Sequence, residues 1–141
     1  MNTIEVIARG VLIKDGYLLV CRHVNKDYCY LPGGHVEFFE TAQEALQREC
    51  QEELNCSCEV GAFLNFFEER FSDADQQKHH EYTFLYRVDC AELQPKINAK
   101  SNEAHVKFEW VPVKDLHKHP LLPKSMQAYL IALNTPEAID R

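Results

Sequence analysis

Apolar residues fall along this chain in two rhythms. Residues 4–14 are largely apolar and β-branched, and the run Tyr17-Leu18-Leu19-Val20-Cys21 follows directly after Asp15-Gly16. An Asp-Gly step between apolar runs predicts a hairpin, because both turn positions favour positive φ. A polar stretch, Asn25-Lys26-Asp27, leads to residues 28–31, and Pro32-Gly33-Gly34 then reads as a loop whose backbone approaches a neighbour closely. Residues 60–71 and 80–90 predict two strands joined by the polar segment 72–78. A longer polar connection is expected over 91–104, and another strand over 105–113. A second helix is predicted over 121–133, with Pro123 in its first turn, where a missing N–H costs nothing.

The remaining periodic segment, 41–55, carries the helical rhythm and an anomaly. Thr41 with Glu44 three residues on forms a capping box at its start, and Asn55 suits a left-handed residue at its end. Ala42, Ala45, Leu46, Cys50 and Leu54 make an apolar stripe. With Ala42 as origin, Glu49 falls at about −20°, Glu53 at about +20° and Glu52 at about −80° on the helical wheel. Two of these carboxylates therefore point where the helix is buried. An unpaired buried carboxylate costs several kcal/mol, and a bound divalent cation is the economical compensation. Glu49, Glu52 and Glu53 stand at i, i+3 and i+4, so they share a face. A carbonyl of Gly33-Gly34 would add a further oxygen. An all-oxygen donor set suits Mg²⁺ or Mn²⁺ rather than zinc, and such sites accompany substrate phosphates.

The 141 residues fit one domain spanning 1–141, and 45% hydrophobic content supplies an ordinary core. Several strands with one internal and one C-terminal helix give an α+β or α/β/α layered domain. No apolar run reaches membrane-spanning length, and the first residues lack the basic and apolar regions of a secretion signal, so a cytoplasmic setting is expected. A net charge of −7 argues against non-specific nucleic-acid binding. It is compatible with a small anionic substrate, because a metal ion inverts the local electrostatics. The six cysteines contain no C-x-x-C pair. Cys56-Ser57-Cys58 has no second close pair to complete a zinc set, so the cysteines read as reduced and structural.

Gly34, five residues, Glu40, seven residues, then Arg48-Glu49-Cys50-Gln51-Glu52-Glu53-Leu54-Asn55-Cys56 resembles the Nudix box. Every charged position and the first glycine match at the family's spacing. Leu31-Pro32-Gly33-Gly34 resembles the usual lead-in, and Trp110-Val111-Pro112 the usual late strand. Asn55 replaces a glycine, Cys50 and Cys56 replace aliphatic residues, and Phe39 stands where many members have glycine.

The resemblance implies an α/β/α sandwich with a central mixed β-sheet. It also implies Mg²⁺- or Mn²⁺-dependent hydrolysis of a pyrophosphate bond in a nucleoside diphosphate linked to another moiety. A nucleoside triphosphate, a nucleotide sugar or a related diphosphate is the expected partner. The alternative is a non-catalytic Nudix-fold module that binds nucleotide. By the same resemblance Glu52 and Glu53 bind metal with the Gly33 carbonyl, and Glu49 is a ligand or general base. Arg48 and Glu40 pair to hold helix and loop in register. A further glutamate from outside the box completes the site, Glu81 first and Glu103 second. Arg22, Glu37 and Tyr30 are the candidate substrate contacts, with Phe66, Tyr82, His79 and His80 behind them. A homodimer is compatible with the sequence.

Overall fold

Two four-stranded sheets form the centre of the molecule in the computed structural model, which describes residues 2–95 and 104–134. The elements in order are β1 (Ile4–Val11), β2 (Ile13–Lys14), β3 (Tyr17–His23), β4 (Cys29–Tyr30), β5 (Gly33–His35), α1 (Ala42–Leu54), β6 (Glu59–Ser72), β7 (Lys78–Asp89) and β8 (Val106–Pro112). A 3₁₀ helix, Val113–Lys118, and α2 (Met126–Leu133) complete the chain. Asp15 and Gly16 turn between β2 and β3 with φ of 52° and 81°, as the Asp-Gly step demands.

The first sheet runs β5-β1-β7-β6 and is mixed. β1 lies parallel to β7 and antiparallel to β5, while β6 and β7 form a long hairpin. The second sheet is antiparallel, with β3 between β4 and β8 and with β2 at its start. Strand alternation divides the core into two halves. Leu19 and Cys21 of β3 pack with Ala8, Val88 and the α1 residues Ala45, Leu46, Cys50 and Leu54. Leu18 and Val20 point the other way, onto Leu85, Leu116, Met126 and Leu130 of the α2 side. The helices thus cover opposite faces, the expected layered α+β arrangement. Among the described residues no helix is long and apolar enough to cross a membrane.

α1 begins and ends where its sequence dictates. Thr41 Oγ1 accepts a hydrogen bond from the Glu44 N–H at 3.1 Å, and Glu44 Oε1 accepts one from the Thr41 N–H at 3.4 Å. Asn55 adopts φ 52°, ψ 38° and its N–H donates to Gln51 O, so it holds the left-handed position that glycine fills elsewhere.

Two expectations are corrected. Gly33 and Gly34, read as part of a loop, belong to β5, because Arg9 and Ala8 pair with them and Ile7 pairs with His35. α2 starts at Met126, not at 121. Leu121 forms a parallel bridge with Cys29, and the Leu122 N–H donates to Cys29 O at 2.9 Å, so this backbone extends the second sheet. Only part of the 91–104 connection is described, and Glu103 lies outside the described residues.

Candidate active site

Arg48, midway along α1, organises the loop that precedes the helix. Its Nε donates to Glu40 Oε2 at 2.8 Å and its Nη2 to Glu40 Oε1 at 3.0 Å, a two-pronged clamp. Nη2 also donates to His35 O at 3.2 Å, which ties β5 to the helix. Nη1 donates to Glu49 Oε1 at 2.9 Å and lies 3.5 Å from Glu52 Oε2. Glu37 is at the rim, 3.8 Å from Nη2, and its N–H donates to Glu40 Oε1 at 3.0 Å. The guanidinium hydrogen bonds, first among the causes, hold the Glu40 carboxyl down to about 2. Arg48 and Glu40 are therefore paired across helix and loop.

The glycines are dictated by close approach. Gly33 sits at φ +141°, and a Cβ there would run into the Ala8 carbonyl of β1. A Cβ on Gly34 would stand 2.5 Å from Glu49 Cδ, so the Glu49 carboxylate packs flat against bare backbone. Glu49 is largely buried, with a side chain 18% exposed, whereas Glu52 is 59% exposed. Glu53 is part-buried, and its Oε2 is a buried atom. The helical-wheel placement of Glu49 and Glu53 on the buried side is thus reproduced.

Beyond the helix a cleft of about 770 Å³ opens over the mixed sheet, lined by Arg9, Tyr30, Gly33, Gly34, Glu53 and Glu81 among others. Glu81 stands on β7 abreast of Glu5 on β1 and of Glu69 on β6, so one row of acids crosses three strands. Ligand atoms of Glu5, His79 and Glu81 lie within 4.8 Å of one another. Burial, then the neighbouring Glu5 charge, pushes the Glu81 carboxyl above its ordinary value. His79 Nε2 pairs with Asp73 Oδ2 at 2.9 Å, and this hydrogen bond raises the imidazole.

Cationic and aromatic side chains line the same cleft. Arg9 Nη1 donates to Leu31 O at 2.8 Å, and the guanidinium carbon lies 5.2 Å from the centre of the Tyr30 ring. Burial above all pushes the Tyr30 hydroxyl up to about 12, so it stays a neutral donor. Tyr28 adjoins Tyr30, with ring centres 6.1 Å apart, and also lines the cleft.

A NUDIX domain profile matches residues 4–132. The chain belongs to the NUDIX family. A Caenorhabditis elegans protein named as a nudix hydrolase is 31% identical over 123 residues, 82% of this chain and 31% of that protein. An ADP-ribose pyrophosphatase of Methanocaldococcus jannaschii is 32% identical over 102 residues, 70% of this chain and 59% of that protein. The chain thus spans well under two thirds of both curated relatives. The crystal structure of a MutT protein from Methanosarcina mazei Go1 superposes with a TM-score of 0.66 at 19% identity, covering 93% of each chain, and shares the fold.

The structure brings some of the residues singled out from the sequence together and leaves others apart. Gly33, Glu53, Glu81 and Tyr30 meet in the cleft, and Glu49, Glu52, Glu37, Glu40 and Arg48 form the adjoining network. Arg22 stands elsewhere: it pairs with Glu109 on β8 at 2.8 Å and does not line the cleft. Phe66 packs on Phe84, and the Tyr82 hydroxyl donates to Glu68 at 2.9 Å, so neither lines it. Phe39 is 96% exposed at φ 71°, adopting the glycine-like conformation without entering the cleft. Arg9, Glu5 and Glu69 were not singled out from the sequence. The signal available for Arg9 was a charge at an inward position of an apolar strand.

Proposed function

We propose that this chain hydrolyses the pyrophosphate bond of a nucleoside diphosphate linked to another moiety, in the presence of Mg²⁺ or Mn²⁺. The observation that carries the reading is a single cleft that brings the carboxylates of Glu53 and Glu81 together with Arg9 and Tyr30. The donor set fits a hard cation: Glu49, Glu52, Glu53 and the Gly33 carbonyl present only oxygens. A divalent ion bound there supplies neutralising charge for the diphosphate oxygens.

The protein's own groups divide the remaining work. Arg9 faces the substrate phosphates, and Tyr30 and Tyr28 offer aromatic surface to the nucleoside. Glu81 takes a proton from the attacking water, a role suited by its raised pKa. Water adds to one phosphorus, the bridging P–O bond breaks, and the leaving phosphate takes up a proton, giving a nucleoside monophosphate and a second phosphorylated product. Arg48 and Glu40 position Glu49 and the β5–α1 loop without touching substrate. In this reading residues 1–141 act as one domain in the cytoplasm.

The test is release of nucleoside monophosphate or phosphate from a panel of nucleoside triphosphates, nucleotide sugars, ADP-ribose and dinucleoside polyphosphates, with and without divalent cation. ADP-ribose is included because the M. jannaschii relative bears that name. Metal-dependent cleavage of one class supports the proposal. Nucleotide binding without cleavage of any member would favour a non-catalytic module instead.

A further inference from the structure

The cysteines that read as isolated core residues converge at the far end of α1. Cys56 and Cys58, on the turn after the helix, meet Cys90 at the end of β7, and all three are buried. Their sulfur atoms lie within 4.8 Å of one another. Cys56 Sγ is 3.7 Å from Cys58 Sγ and 2.8 Å from Cys90 Sγ. Cys50, in the last turns of α1, lies beside Cys58 but outside this three-sulfur group.

From this geometry we infer a second metal site, a thiolate site for Zn²⁺ or another thiophilic divalent cation, formed by Cys56, Cys58 and Cys90. Two arguments support it. Sulfurs bound tetrahedrally to zinc at about 2.3 Å are about 3.8 Å apart, and the Cys56–Cys58 separation matches. The Cys56–Cys90 pair, at 2.8 Å, opens by about 1 Å to reach that spacing as the ion enters. The site is closed, as structural zinc sites are, yet Ser57 between two ligands is exposed, so the turn lies at the surface.

The sequence concealed the set because its ligands come from one turn and one distant strand end, without a C-x-x-C pair. One of them, Cys56, is a position where this box departs from an aliphatic residue. Metal binding would fasten the end of the carboxylate helix to β7. The thiols lose their protons to solvent as sulfur–metal bonds form, and no electron is transferred.

The experiment uses the full chain, reduced and stripped of metal, titrated with Co²⁺ as a spectroscopic probe and then with Zn²⁺. The expected result is a thiolate-to-cobalt charge-transfer band saturating at a single Co²⁺ per chain and abolished by Zn²⁺. Zn²⁺ should also raise the melting temperature, reversibly with chelator. Cys58→Ala and Cys90→Ser should lose the band. Glu53→Gln should keep it, which separates this site from the carboxylates. If Cys58→Ala does not fold, the wild-type titration decides. Absence of the band in reduced wild-type protein would overturn the inference. So would a Cys56–Cys90 disulfide, found by non-reducing peptide mass spectrometry, in protein that takes up no metal after reduction.

Discussion

Glu81 stands abreast of Glu5 in the parallel β1–β7 register, and burial together with this like charge holds the Glu81 carboxyl above its ordinary value. A carboxyl raised in the folded state favours folding at low pH and costs stability once pH exceeds its folded pKa. Metal-free Glu81→Gln should therefore melt a few degrees higher than wild type at neutral pH. The advantage should shrink as pH falls through the Glu81 pKa and vanish below about 4, beneath the ordinary glutamate range. Calorimetry across that range checks it. A constant difference at all pH values would show that Glu81 is not the titrating group. The same variant should lose turnover.

Glu53→Gln and Glu52→Gln keep side-chain volume and remove a charge. Each should lower turnover about 10²-fold or more while the melting temperature stays within a few degrees, because a cation ligand is lost and no cavity forms. Glu53→Gln should be the more severe, since its carboxylate lines the cleft while Glu52 is largely exposed. Steady-state assays beside thermal melts check this. Full activity in both variants would remove the carboxylates from the chemistry.

The paired glycines should fail in different ways. Gly33→Ala places a methyl against the Ala8 carbonyl at a φ that alanine rarely adopts, so it should destabilise by about 2 kcal/mol or more. Gly34→Ala meets only the Glu49 carboxylate, the end of a movable side chain. It should fold nearly as well as wild type and lose most activity. Chemical denaturation and assay of the two proteins separate these outcomes.

Phe39 and Asn55 both hold positive φ, at 71° and 52°. Phenylalanine tolerates that region poorly and asparagine well. Phe39→Gly should therefore stabilise by more than Asn55→Gly, with a gain of about 0.5–1 kcal/mol against one near zero. Urea denaturation of both variants tests it, and a loss of stability in Phe39→Gly would mean that its exposed ring makes contacts worth more than the strain.

α1 was legible because everything that defines it is local: the capping box, the apolar stripe, the left-handed Asn55 and the carboxylates placed by helical angle. The Asp15-Gly16 hairpin was legible for the same reason. β5 was not, because Gly33 and Gly34 have no preference for strands and pair only because β1 presents a partner. Residues 121–125 read as helix on composition, yet their backbone is drawn into the bridge with Cys29. Arg9 reaches the cleft, and Glu5 comes beside Glu81, through a parallel register between strands distant in sequence, which leaves no local pattern. Arg22 has the look of a strand-end cation, and only the position of β8 shows that Glu109 holds it.

The parallel pairing of β1 with β7 also bears on the order in which the protein is made. β1 is synthesised early, and β5 can join it soon after, but β7 is translated only after α1 and β6. Until then β1 has one edge without its partner, and unpaired strand edges invite association between chains. A nascent chain halted before β7 would carry Glu5, Arg9 and the complete carboxylate helix, yet have no Glu81 to face them. Synthesis of β7 therefore supplies both the missing acid and the cover for the exposed edge.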